Sequence, residues 1–243
     1  MNETLEQKVF DRTEQLEVAN KELEAFSYSV SHDLRAPLRH IGGFIDLLNK
    51  SNSNQLDTAG LRYLSIITES TKEMGNLIDA LLTFSRLGRS ELHLTSLNSI
   101  KTLNRVFKSF EEELAERKVE INIGELPDIM GDENLIIQVW TNLVSNALKY
   151  SAKRENAVIN IGSEITHGKT IFFIQDNGAG FDMKYKDKLF GVFQRLHKER
   201  DFEGIGIGLA NVNRIVMRHG GKCWAEGEVG KGATFFFSVP DYN

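Results

Sequence analysis

Leu5, Val9, Arg12, Leu16, Ala19, Leu23, Phe26 and Val30 follow one another at alternating steps of four and three residues. This is the a/d repeat of a coiled coil, broken only by Arg12. The alternative is one amphipathic helix lying on its own domain, and with no other packing surface upstream the pattern favours self-association. The repeat is already under way at Met1, as expected of the effector half of a longer protein. The apolar stripe continues through Pro37, Leu38, Ile41, Phe44, Ile45 and Leu48 and ends near Lys50 in the polar turn SNSNQLD. A second helical pattern runs from Thr58 to Leu87, with Leu61, Leu64, Ile67, Met74, Leu77, Ile78, Leu81 and Phe84 apolar. Two long helices with a short polar loop predict an antiparallel hairpin, and two hairpins a four-helix bundle.

After Gly88 the pattern changes. SLNSIKTLNRVFKSFEEELAER reads as one helix, with Ser96 or Asn98 available as its cap, and KVEINI as a strand. Residues 132–150 predict a helix opened by Asp132. AVINIGSEIT and KTIFFIQD predict a strand pair around His167 and Gly168. Residues 181–204 are charged with little periodicity, a candidate mobile lid. GIGLANVNRIVMRHG predicts a helix closed by Gly220, and KCWAEGE and GATFFFSVP a final strand pair. Helices with a mixed sheet imply a two-layer α/β sandwich, so the expected class is α plus α/β: a helical hairpin followed by that sandwich.

The composition, 41% hydrophobic and 26% charged over 243 residues, is that of a globular protein. No apolar run approaches the ~18 residues of a membrane span, and the acidic, polar start does not resemble a signal peptide. A net charge of −5 argues against nucleic acid as the main partner. The single cysteine, Cys223, excludes an internal disulfide and a cysteine metal cluster and suits a reducing, cytoplasmic compartment. Cys223 and Trp140 read as packed. His40, His93, His167, His197 and His219 read as surface or structural residues.

His32 differs from these. At ~100° per residue it falls about 165° from the mean direction of Phe26, Val30, Leu34, Pro37, Ile41 and Leu48. Tyr28, Arg35, Ala36 and Arg39 share its outer face. A surface histidine in a charged patch is the simpler reading. Two details oppose it. Pro37 interrupts the hydrogen bonding just past the histidine and should kink the helix. Asp33 can take the Nδ1 proton, which leaves the Nε2 lone pair as a nucleophile. Arg35 and Arg39 are placed to meet a polyphosphate or an acidic partner.

Asn142, Asn146 and Lys149 share one face of their predicted helix, although asparagine is a poor helix former. Capping or solvent exposure would explain them. So would an amide oxygen on Mg²⁺ with Lys149 neutralising phosphate, since Mg²⁺ takes few protein oxygens beside phosphate and water. Asp176 ends a strand and precedes Asn177-Gly178-Ala179-Gly180, where a carboxylate can accept from the adenine amine and glycine lets backbone approach the base. Gly204, Gly206 and Gly208 precede a helix and offer bare N–H groups to phosphate. There is no GxxxxGK[ST] and no GxGxxG, which disfavours P-loop and dinucleotide folds.

With these residues in place, the chain resembles the sensor histidine kinases of two-component systems. SHDLRAPL resembles their phosphoacceptor box, worded most like the phytochrome-related subgroup. NLVSNALKY, DNGAG, LFGVFQRL and GIGIGLA resemble the four boxes of their ATP-binding domain, in order and spacing. The resemblance covers about Leu5 to Pro240. It implies a coiled-coil signalling helix over 1–25, a dimerisation and phosphotransfer domain over 26–90 and a catalytic ATP-binding domain over 91–243. By the same resemblance, His32 is phosphorylated with Asp33 as general base. Asn142, Asn146, Lys149 and Tyr150 form the Mg²⁺ and phosphate face, Asn146 being the direct metal ligand. Asp176, Gly178 and Gly180 hold adenine, and Thr234 in GKGATF helps to hold that site. Phe190 and Phe193 anchor the lid, Arg195 reaches toward phosphate, and Gly204, Gly206, Gly208 and Leu209 line the nucleotide. The implied cofactors are ATP and Mg²⁺. The implied partners are a second copy, a response-regulator receiver domain and an upstream sensor domain, with Leu87 to Ser90 as hinge.

Two positions depart from the family pattern. Ala36 stands where members with phosphatase activity carry Thr or Asn, so weak or absent phosphatase activity is expected. Ile205 replaces a common Thr, for which a modest effect on nucleotide affinity is expected. The competing readings are a nucleotide-holding pseudokinase scaffold and a chaperone-, topoisomerase- or mismatch-repair-type ATPase. Intact His32, Asp33, Asn146 and Asp176 oppose the first, and SHDLRAPL with the coiled coil opposes the second.

Overall fold

The computed structural model describes residues 2–52, 56–87, 91–166, 168–196, 202 and 204–241. The side chains of Leu5, Leu16, Ala19, Leu23 and Phe26 lie outside the described residues. So do residues 88–90 of the expected hinge, His167 of the expected turn, and residues 197–201 and 203 of the expected lid. The chain divides into two compact units, Met1–Arg89 and Ser90–Asn243.

The first unit is a hairpin of α1 (Asn2–Asn52) and α2 (Thr58–Arg86). α1 continues through Pro37, so the missing N–H does not end it. Asp57 caps α2, its carboxylate accepting from the Gly60 N–H at 2.7 Å. Arg86 lies over the Tyr28 ring at 5.9 Å, Arg35 pairs with Asp79, and Leu38 packs near Gly75. Partner numbers on α2 fall as those on α1 rise, so the helices are antiparallel. Ile45, Leu64 and Leu82 are buried, whereas Leu34, Ile41, Leu48, Leu61, Ile67 and Met74 remain 40% to 50% exposed and Phe44 72%. One hairpin cannot cover that apolar stripe.

The second unit contains β1 (Thr95–Leu97), α3 (Ser99–Lys108), α4 (Glu111–Glu116), β2 (Val119–Ile123), β3 (Ile129–Gly131), α5 (Glu133–Tyr150), β4 (Ala157–Thr166) and β5 (Lys169–Asp176). A 3-10 helix (Met183–Lys188), α6 (Gly208–Arg218), β6 (Cys223–Glu228) and β7 (Gly232–Pro240) follow. The main sheet has the order β2-β4-β5-β7-β6, parallel between β2 and β4 and antiparallel elsewhere; β1 and β3 form a separate antiparallel pair. Trp140 on α5 meets Phe172 and Phe237 edge-on, with ring centroids at 5.7 and 5.0 Å. This contact centres the core between the sheet and α5, with Ile136, Leu143, Ile174 and Ile215 also buried.

The helix expected over 96–117 is two helices. The Ser109 hydroxyl and N–H both bond the Val106 carbonyl, at 2.6 and 3.0 Å, which tightens the turn and ends α3. Asn98, not Ser96, caps α3, accepting from the Lys101 N–H at 2.9 Å. Asp132 caps α5 as expected. Gly220 takes φ 74° two residues past α6.

Candidate functional site

On α1 the side chains of His32 and Asp33 are both more than 70% exposed, and His32 Nδ1 lies 3.3 Å from Asp33 Oδ1. Because an ionised carboxylate only accepts, this contact assigns the proton to Nδ1 and leaves Nε2 free toward solvent. Arg35 does not stand open beside it: the guanidinium is drawn to Asp79 of α2. Arg35 and Arg39 line a cleft of about 310 Å³ on the hairpin, with Asp46 and Lys72 also on its walls.

The second unit carries a narrow cavity lined by Tyr150, Asp176, Gly180, Phe181, Arg195, Leu209, Ala233 and Phe235, among others. Asp176 sits at the end of β5, is 3% exposed and accepts from the Gly178 N–H at 2.8 Å. Burial pushes its carboxyl up to about 6, against the opposing pull of the Gly178 and Ala233 N–H groups and the Arg154 charge. Glycine is required on both sides of Ala179. A Cβ on Gly178 would lie 2.4 Å from the Tyr150 carbonyl oxygen, and one on Gly180, at φ 62°, 1.9 Å from the Glu228 carbonyl oxygen.

α5 presents Asn142, Asn146 and Lys149 at helical spacing, all half-buried. The Asn142 amide donates to the Gln138 carbonyl at 2.9 Å, and a Cβ on Gly208 would lie 3.0 Å from Asn142 Oδ1. Lys149 Nζ would stand 3.1 Å from a Cβ on Gly204 and lies 4.5 Å from the Tyr150 ring centre. The glycine segment before α6 therefore lies along the asparagine helix. Burial, and then the charge of Arg195, hold the Lys149 ammonium below the usual lysine range, and burial raises Tyr150. Desolvated, mutually repelling cations are a setting that an anion relieves.

Two of the expected site residues stand apart from the cavity lining. Thr234 does not line the cavity; Ala233 and Phe235 do, because strand residues alternate faces and Thr234 lies opposite Gln175 on the other side. Phe193, at φ 59°, is 46% exposed. Phe202, which sequence reasoning missed, packs against a cavity-lining residue: its ring meets Tyr150 edge-on at 5.0 Å, Lys153 Nζ lies 4.8 Å from its centre, and its carbonyl accepts from Arg195 at 2.9 Å. Arg195 thus bonds within its own segment while lining the cavity. Among the described residues no cluster of three His, Cys, Asp or Glu side chains suits a metal. The half-buried amides of α5 suit Mg²⁺ shared with phosphate oxygens.

Residues 22–90 match the family model of the His Kinase A (phospho-acceptor) domain, and residues 131–243 that of the histidine kinase-, DNA gyrase B- and HSP90-like ATPases. The chain belongs to the histidine kinases. Its second unit is an ATP-binding domain of that family. Among relatives of this histidine kinase are Cyanobacterial phytochrome A of Nostoc sp., 33% identical over 93% of this chain and 29% of the relative, and Cyanobacterial phytochrome B, 37% identical over 93% and 30%. The Methanogenesis regulatory histidine kinase FilI of Methanothrix harundinacea is 34% identical over 95% of this chain and 26% of its own. Two of these three relatives are phytochromes, the subgroup that the wording of SHDLRAPL resembles. The chain spans less than a third of the length of these relatives. Full-length ShkA in complex with AMPPNP superposes with a TM-score of 0.65 at 27% identity, covering 89% of this chain and 45% of ShkA. ThkA in complex with the response regulator protein TrrA gives 0.62 at 27% identity, covering 95% and 64%. No described helix of this histidine kinase is long and apolar enough to cross a membrane.

Proposed function

We propose that the chain is an ATP-dependent autokinase that phosphorylates His32 and passes the phosphoryl group to an aspartate of a response regulator. The observation that carries this reading is the His32–Asp33 contact, with the imidazole exposed and its Nδ1 held by a carboxylate. His32 Nε2 attacks the γ-phosphorus, an N–P bond forms, the bond to ADP breaks, and Asp33 receives the Nδ1 proton as charge develops on the ring. The rest is positioning and charge neutralisation. Asp176, with the close backbone at Gly178 and Gly180, receives adenine. Lys149, Arg195 and the N–H groups of Gly204, Gly206 and Gly208 face the phosphates, with Asn142, Tyr150 and Leu209 completing the walls. Asn146 would hold Mg²⁺ through its amide oxygen, and the ion would add to the neutralisation of phosphate.

The exposed apolar stripe on α1 and α2 supports pairing with a second copy into a four-helix bundle. The ThkA complex supports a receiver domain as acceptor. A separate sensory region, in keeping with the phytochrome relatives of which this chain spans less than a third, and a cytoplasmic location belong to the same reading. Ala36 presents no polar atom one turn past His32, so the same surface does not position water for hydrolysis; rapid release of phosphate from a phosphorylated regulator would contradict this. Radiolabelled ATP tests the main reading. Label is expected on the unaltered chain and absent from His32→Ala. No label on the unaltered chain would refute the kinase, and label persisting in the variant would refute the residue.

A further inference from the structure

Arg154 lies in the segment between α5 and β4 and is not one of the cavity-lining residues. Its Nε donates to the Asn177 carbonyl at 2.7 Å. Its Nη2 donates to the Gly178 carbonyl at 3.0 Å and also to the Gly230 carbonyl. One planar fork thus gathers carbonyl oxygens from two turns far apart in sequence, the loop after β5 and the turn between β6 and β7. The same two turns are tied by the Gly230 N–H donating to the Ala179 carbonyl at 2.7 Å, and the Ala179 N–H reaches the Tyr150 carbonyl at 3.1 Å. Asn177 is pinned in turn, its Oδ1 accepting from the Val158 N–H at 3.0 Å and its Nδ2 donating to the Asn156 carbonyl at 2.9 Å.

We infer that Arg154 is a positioning residue for the adenine end of the cavity, clamping the 177–178 loop to the β6–β7 turn so that Asp176, Gly178 and Gly180 keep their geometry. This rests on the nucleotide reading above. A lysine offers one compact ammonium and cannot reproduce the fork, so the identity of the residue matters as well as its charge. The charge has a second consequence. It opposes the upward push of burial on the Asp176 carboxyl, favouring the ionised form that accepts from the adenine amine.

The two contributions separate in ATP binding by the 243-residue chain, measured by calorimetry across the weakly acid to weakly alkaline range, with GTP for comparison. Arg154→Ala is expected to bind ATP about tenfold more weakly above neutrality. Its preference for ATP over GTP should shrink, and its loss of binding on acidification should begin at higher pH. Arg154→Lys should return the acid limb toward that of the unaltered chain while affinity stays several-fold reduced. Unaltered affinity and pH profile in both variants would overturn the assignment. Should Arg154→Ala fail to fold by circular dichroism, Arg154→Lys decides: reduced ATP affinity supports the clamp and unaltered affinity overturns it. Absence of ATP binding by the unaltered chain would overturn the nucleotide reading and this inference with it.

Discussion

The backbone N–H of Asp132 donates to Nε2 of His219 at 3.0 Å, across 87 positions of the chain. The imidazole is fully buried, and its Nδ1 donates to the Ile215 carbonyl at 2.8 Å. Asp132 caps α5 and His219 closes α6, so one neutral ring joins the helix carrying Asn142 and Asn146 to the helix that begins at Gly208. His219→Leu keeps the apolar volume but leaves the Asp132 N–H without its acceptor. A loss of about 2–4 kcal/mol is expected in urea unfolding of the second unit.

Asp33 touches the His32 ring, the proposed nucleophile. Asp33→Asn should lower the initial rate of His32 labelling about 10²- to 10³-fold while leaving ATP affinity unchanged. Equal losses in rate and affinity would contradict its role as base.

Asp176 is the buried acid of the cavity, with its carboxyl pushed up to about 6. Binding of ATP through the ionised carboxylate should therefore weaken as pH falls through that value. Stability runs the other way. The folded state holds the proton more tightly than the unfolded state, so this group's contribution is fully present below the unfolded carboxylate value near 4 and is lost as pH rises through about 6. Asp176→Asn should thus abolish tight ATP binding yet raise the melting temperature above about pH 7, converging with the unaltered chain below about pH 4. An equally destabilised variant at all pH values would refute the cause assigned to the shift.

Phe202 packs on Tyr150 and carries the carbonyl that holds Arg195. An aromatic pair contributes about 0.5–1.5 kcal/mol, so Phe202→Ala should weaken ATP binding by several-fold with little change in melting temperature. Stopped-flow release of a fluorescent ATP analogue should show the loss as faster dissociation.

Much of this was legible in the sequence because its causes are local. The period of apolar residues located α1, α2, α5 and α6, and Asp132 announced the start of α5 by the rule that a short acidic side chain satisfies free N–H groups. The break at Ser109 escaped because the helical period runs across it, and it is made by the Ser109 hydroxyl and N–H both turning back to the Val106 carbonyl. β1 and β3 escaped because three residues carry no measurable alternation.

By itself, the sequence determined the family, the hairpin, α5, α6 and the longer strands, and it singled out His32 with Asp33 and the glycines and asparagines proposed to meet the nucleotide. Each is set by neighbours within a few residues or by the spacing of a motif. Tertiary structure alone decided that Arg35 turns to Asp79, that Ala233 rather than Thr234 meets Asp176, and that Phe202 covers Tyr150. It likewise decided that Arg154 and His219 brace the site from outside. The physical reason is that side-chain pairing over long sequence distances, and strand register in which one residue of slip reverses the face, are settled only when the elements pack.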